Sequence, residues 1–173
     1  MKVVCFGNSL TYGYLVNKGY IDYLKEYFPE TNFINSGIPG DTAYDGLMRI
    51  EYSVLKHNPD LTIIEFGVND AFSGFTVNSF KNNLQRIIDK IKGIKILMIP
   101  HRLYHETDQK IAKPFYDAIK DIAISNNLSY IDVSKHKLTE KELLSDMLHP
   151  NEKGYKIYAK EARKILINYL FKK

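Results

Sequence analysis

The chain has 173 residues, 45% of them hydrophobic and 25% charged, a composition that suits one globular domain spanning 1–173 and excludes an intrinsically disordered chain. Its 24 Lys and Arg against 20 Asp and Glu leave a formal charge of +4, and the basic residues are scattered along the chain, which gives no clustered face for nucleic acid. No apolar run approaches the roughly 18 residues of a membrane span, the run Val3–Phe6 is shorter than a signal-peptide core, and a soluble cytoplasmic protein is the expectation.

The predicted elements alternate from end to end. Val3–Phe6 reads as a buried strand, and its lone Cys5 predicts an inert core thiol that has no partner for an intramolecular disulfide. Tyr20, Ile21, Leu24, Tyr27 and Phe28 then fall on one helical face. A second strand at Phe33–Ile34 leads into Ser36-Gly37-Ile38-Pro39-Gly40-Asp41, with Asp41 placed to cap a helix that carries Leu47, Ile50, Val54 and Leu55. The strand Leu61–Phe66 is followed by Gly67-Val68-Asn69-Asp70. Thr76 is placed to cap, and Gly93 to end, the helix of Phe80, Leu84, Ile87, Ile88 and Ile91. Ile94–Ile99 is a fourth strand, followed by Pro100-His101-Arg102. A helix within Gln109–Asn127 accommodates Pro114 best in its first turn. After a fifth strand at Tyr130–Val133 comes a helix bearing Tyr155, Tyr158, Ala159, Ala162, Leu166 and Tyr169.

Strand and helix in alternation predict right-handed βαβ units, hence an α/β three-layer αβα sandwich around a parallel sheet of about five strands. Ligands of such sheets bind at the carboxyl ends of the strands. The residues just after each strand therefore carry the functional question.

Ser9 follows the first strand directly. A serine there caps a helix or, given a base, acts as a nucleophile. The Gly-Lys-Ser/Thr of a P-loop and the triple glycine of a dinucleotide fingerprint are both absent. Asp146, three residues before His149, has the spacing to reach the histidine Nδ1, fix its tautomer and stabilise the imidazolium that forms when Nε2 takes a proton; an isolated Asp-x-x-His also occurs as a plain surface loop. Oxyanion donors are available in the Ser9 N–H, the Gly40 N–H and the Asn69 amide, although Gly40 and Asn69 also suit ordinary turns. His101, Arg102 and Tyr104, in the loop after the fourth strand, are placed to line a substrate crevice. His101 and His105 lack the helical His-Glu-x-x-His pattern and a third ligand, so no metal is predicted, and His57 and His136 read as surface residues.

Taken together these segments resemble the SGNH (GDSL-like) hydrolase family. Phe6-Gly7-Asn8-Ser9-Leu10-Thr11 is similar to its first block, Asn35 to Thr42 to its second, Gly67-Val68-Asn69-Asp70 to its third, and Asp146-Met147-Leu148-His149-Pro150-Asn151 with Gly154 to its last. The resemblance implies the flavodoxin-like fold of these hydrolases. It implies Ser9 as nucleophile and oxyanion donor, Gly40 and Asn69 as the further donors, His149 as base, Asp146 as its orienting carboxylate, and no metal or organic cofactor. The implied partner is a small-molecule ester: a short-chain acyl ester, an O-acetyl sugar, a thioester or a lysophospholipid. Asn8 departs from the family, whose usual residue before the serine is aspartate. The competing reading is a non-catalytic flavodoxin-like module that uses the same crevice to hold a small anionic or sugar ligand.

Overall fold

The structure, a computed structural model, describes residues 1–171. Its strands are β1 (Lys2–Gly7), β2 (Asn32–Gly37), β3 (Leu61–Glu65), β4 (Ile94–Ile99) and β5 (Ser129–Asp132). The α-helices are α1 (Ser9–Tyr12), α2 (Tyr20–Tyr27), α3 (Ala43–Ser53), α4 (Val68–Phe72), α5 (Val77–Lys90), α6 (Glu106–Ser125) and α7 (Glu152–Leu170). The five strands form one parallel sheet in the order β2-β1-β3-β4-β5. This is the three-layer α/β sandwich that the alternation predicts.

The pleat explains the layers. Alternate residues of a strand face opposite sides, so Val4 and Phe6 of β1, with Ile64, Leu97 and Ile99, pack against α3, α5 and α6. Val3 and Cys5, with Ile63, Ile96, Met98 and Ile131, pack against α2 and α7. Strands covered on both faces read as continuous apolar runs, which is why they stand out in the sequence. Complete burial pushes the Cys5 thiol up to about 12, so it stays protonated.

Strand order reverses between β1 and β3. Connections from β1 run outward to β2, whereas those from β3 run the other way to β4 and β5, and the switch point lies between the carboxyl ends of β1 and β3. Ser9 and Asn69 follow those two strands.

Three helix ends differ from expectation. Thr42, not Asp41, caps α3: its hydroxyl accepts from the Asp45 N–H at 3.3 Å while the Asp45 carboxylate accepts from the Thr42 N–H at 3.0 Å. Thr76 does cap α5, accepting from the Ser79 N–H at 3.1 Å. That helix stops at Lys90, and Gly93 serves the following turn, where φ is +79° and a Cβ would stand 2.8 Å from the Asp60 carbonyl oxygen. Helix α6 begins at Glu106 rather than near Gln109, with Glu106 and Asp108 complementing its N-terminal dipole, so Pro114 lies in the helix interior instead of the first turn. Lys110 and Pro114 are both exposed, which leaves the unpartnered carbonyl on the wet face.

Because that proline removes a helix hydrogen bond while burying nothing, Pro114→Ala should stabilise the protein by about 1 to 3 kcal/mol. Thermal unfolding should show Tm raised by roughly 2 to 10 °C. A lowered Tm would mean that the restricted unfolded chain matters more than the lost bond.

Candidate active site

The turn that presents Ser9 is built from close contacts. β1 ends at Gly7, where a Cβ would meet the Thr11 hydroxyl at 2.3 Å and the Glu65 carbonyl oxygen at 2.5 Å. Gly37, at the end of β2, approaches the same turn so closely that a Cβ would lie 2.3 Å from the Tyr12 nitrogen and 2.8 Å from the Asn8 carbonyl oxygen. Asn8 caps α1, its Oδ1 accepting from the Leu10 N–H at 2.9 Å. Ser9 is the first residue of that short helix, and its Oγ lies 2.9 Å from His149 Nε2.

His149 is held by Asp146 in two ways. One carboxylate oxygen accepts from the Leu148 and His149 backbone N–H groups at 3.0 and 2.9 Å, folding the loop, and the other lies 2.7 Å from Nδ1, orienting the ring. Met147 takes the strained φ of +54° that this tight turn requires. Partial burial opposes ionisation of Asp146, but the donors from the His149 side chain, the His149 backbone and the Leu148 backbone outweigh it and hold the carboxyl below its usual range. The Tyr14 ring packs on the imidazole with centroids 4.8 Å apart.

The loop of Gly40 is laced to both neighbours. Asn69 donates from Nδ2 to the Asp41 carbonyl at 2.9 Å, using one of its two amide protons. Arg49 joins Asp41, the Ser36 carbonyl (3.0 Å) and the Gly7 carbonyl (2.9 Å), bridging β1 and β2. Asp70 accepts from the Ala43 and Gly67 N–H groups at 3.0 and 3.1 Å, and burial still pushes its carboxyl up to about 6. Gly40 itself has φ of +88°, and nothing lies within 4 Å of where a Cβ would stand. Among the described residues neither the Ser9 nor the Gly40 N–H has a protein acceptor.

The loop after β4 departs from the sequence reading. His101 is fully buried and does not line the crevice: the Tyr158 hydroxyl accepts from its backbone N–H at 3.1 Å and lies 2.7 Å from its Nδ1. Burial and the nearby His149 push its imidazole down to about 4, so it is neutral. Arg102 turns outward to Glu106, at 2.8 and 2.9 Å, beside a hollow that shares no residue with the Asp146–His149 loop. Tyr104 alone of the three stays near that loop. With Phe72, Leu103, Met147 and Leu148 it lines a hollow of about 340 Å³ that borders Asp146. A larger hollow of about 670 Å³ lies between β5 and α7 and includes none of the residues around Ser9. Among the described residues no cluster of three or more metal-ligating side chains occurs.

Sequence reasoning also missed Tyr14, Arg49 and Glu65. An aromatic, an arginine and a strand-end glutamate carry no spacing signal of their own, and only the fold brings them to this site.

A family model for the GDSL-like lipase/acylhydrolase family matches residues 5–157. The chain belongs to that family. It is 29% identical to an arylesterase of Vibrio mimicus, over 98% of this chain and 90% of the relative. An acetylxylan esterase of Geobacillus stearothermophilus is 26% identical, over 82% of this chain and 78% of the relative. A solved lipase/acylhydrolase from Enterococcus faecalis superposes with a TM-score of 0.87 at 31% identity, covering 96% of this chain and 95% of the other. This family member is an ester-cleaving hydrolase, which sets aside the non-catalytic module.

Neutral His101 has a consequence for stability. The unfolded state takes up a proton near 6.5 that the folded state refuses until about 4, so stability is lost as pH falls across that window. The stability advantage of the wild type over His101→Gln should shrink by on the order of 3 kcal/mol between those limits in urea titrations. Glu65 and Asp70, raised acids, act in the opposite sense in both proteins, so the difference isolates His101. A constant difference would show that His101 protonates freely in the folded state.

Proposed function

We propose that the protein hydrolyses small carboxylic esters through an acyl-enzyme on Ser9. The observation that carries this reading is the unbroken relay from Asp146 to His149 at 2.7 Å and from His149 to Ser9 at 2.9 Å, beside free backbone donors. His149 Nε2 takes the Ser9 proton as Oγ attacks the ester carbonyl, and Asp146 stabilises the imidazolium. The Ser9 and Gly40 N–H groups and the second Asn69 amide proton hold the tetrahedral oxyanion. His149 then returns its proton to the departing alcohol. Water, deprotonated in turn by His149, attacks the acyl-enzyme and releases the acid, restoring Ser9.

Substrate choice follows from what surrounds this relay. The hollow that borders Asp146 mixes the apolar Phe72, Leu103, Met147 and Leu148 with Tyr104, His105 and Asp108, and its volume of about 340 Å³ is enough for a short acyl chain or one aromatic ring. The names of two relatives, an arylesterase and an acetylxylan esterase, agree with small acyl or aryl groups. We therefore assign short-chain acyl and aryl esters ahead of long-chain lipids.

Ser9→Ala and His149→Ala should each lower turnover of p-nitrophenyl acetate by about three to six orders of magnitude, and the double variant should be no slower than the worse single. A multiplicative loss would separate the two residues mechanistically. A fluorophosphonate probe should modify Ser9, as mapped by peptide mass spectrometry, and absence of labelling in folded protein would end the nucleophile reading.

Across p-nitrophenyl esters, kcat/KM should be greatest for acetate to butyrate and fall by at least about tenfold by palmitate, a difference of roughly 1.4 kcal/mol in transition-state binding. Equal or better turnover of the long chain would place the acyl group outside this hollow.

A further inference from the structure

Beneath Ser9 lies a carboxylate that the relay does not use. Glu65, the last residue of β3, is 1% exposed. Its Oε1 accepts from Asn8 Nδ2 at 3.2 Å and its Oε2 from the Thr11 hydroxyl at 3.0 Å, so the two residues it grips lie on either side of the nucleophile. Asn8 and Thr11 are themselves 1% exposed. Asn8 thus spends its amide in both directions: the carbonyl caps α1 and the NH₂ meets Glu65.

This contact gives the residue at position 8 a physical consequence in this chain. An aspartate there would face Glu65 across 3.2 Å, and two carboxyl groups so close resist ionising together and keep one proton between them near neutral pH. An asparagine supplies the donor permanently. The other groups that face Glu65 are Asp70 of α4, Tyr20 of α2, Tyr116 of α6, and Tyr155 and Tyr158 of α7. The phenols are buried and neutral, and none of these groups is a cation. Burial accordingly raises Glu65 to about 7 even with the Thr11 and Asn8 donors opposing it.

We propose that Glu65 is a positioning residue for Ser9, and that full turnover needs the pair formed by residues 8 and 65 to carry one negative charge, neither none nor two. The proposal rests on Ser9 being the nucleophile. With one charge, the carboxylate holds the Asn8 amide and the Thr11 hydroxyl and fixes the turn between them. With none, the Thr11 bond must reverse; with two, the like charges repel and the turn opens.

Three variants count the charge. Glu65→Gln leaves the pair neutral, and its kcat at pH 8 should fall by about tenfold with KM little changed, because the defect lies in presentation of Oγ rather than in substrate binding. Asn8→Asp keeps one proton and one charge near neutrality, so its activity there should stay within about tenfold of wild type; above about pH 9 the second proton leaves and a new alkaline limb should appear. Asn8→Asp with Glu65→Gln moves the single charge to position 8, with the new side-chain amide at position 65 donating to it. That double variant should regain most of the activity lost in Glu65→Gln and lose the alkaline limb.

Tm measured across the same pH range, in a Ser9→Ala background, reads the pair without any turnover: Asn8→Asp should lose stability above about pH 9 and the double variant should not. An active Ser9→Ala protein would therefore overturn the nucleophile while this arm still judges the pair. Wild-type kcat in Glu65→Gln would overturn the proposal, as would an alkaline limb that persists in the double variant. Should Glu65→Gln fail to fold, superposable profiles of Asn8→Asp and wild type from pH 6 to 10 would overturn it alone.

Discussion

Steric exclusion at two glycines governs the site. At Gly7 and Gly37 a Cβ would fall 2.3 Å from atoms of the turn that follows β1, and at Gly37 the obstructing atoms belong to backbone, which cannot step aside as a side chain tip can. The carboxyl ends of β1, β2 and β3 are drawn together there. That convergence lets Arg49 span two strands, lets Asn69 reach the Asp41 carbonyl, and brings Glu65 under the helix of Ser9. Ser9 is therefore held by main-chain packing first and by hydrogen bonds second.

The buried titratable groups around this turn are kept in opposite conditions by the same cause. Desolvation disfavours charge of either sign, so it raises Glu65 and Asp70 while it lowers His101. Asp146 escapes that tendency because it is less enclosed and receives three donors from one loop. The carboxylate paired with His149 thus lies nearer water than Glu65 or Asp70, while the neutral His101 is fully buried.

Much of the fold was legible because both faces of the sheet are covered: Leu61–Phe66 and Ile94–Ile99 announce themselves as runs, and the helices opposite them carry matching stripes. The residues that meet around Ser9 were legible in part: Ser9 and Asn69 stand just past the ends of β1 and β3, and His149 carries Asp146 three residues before it, in the segment that leads into α7. What could not be read depends on partners remote in the chain. Asp41 has the chemistry of a cap, but Arg49 claims its carboxylate and Thr42 takes the position. His101 stands at a strand end like the others, yet Tyr158, 57 positions away, draws it inward. Pro114 argues for a first turn near Gln109, whereas α6 starts earlier because an exposed face tolerates a proline in the interior. Glu65 gave no signal, for a lone glutamate at the end of a strand is ordinarily solvated.

Ser9 and His149 are separated by 140 positions, and their contact is among the most distant in the chain. Contacts of such span form late, after the entropy of closing the intervening loop has been met. Ser9, Gly40 and Asn69 all lie on or just after the first three strands, whereas His149 lies beyond the last one. On the mechanism proposed above, hydrolysis therefore requires the segment that leads into α7 to be seated against the turn after β1, and a chain cleaved before it holds Ser9 without the imidazole. Esterase activity in this protein is in that respect a report on completed folding, more stringent than helix content or compactness.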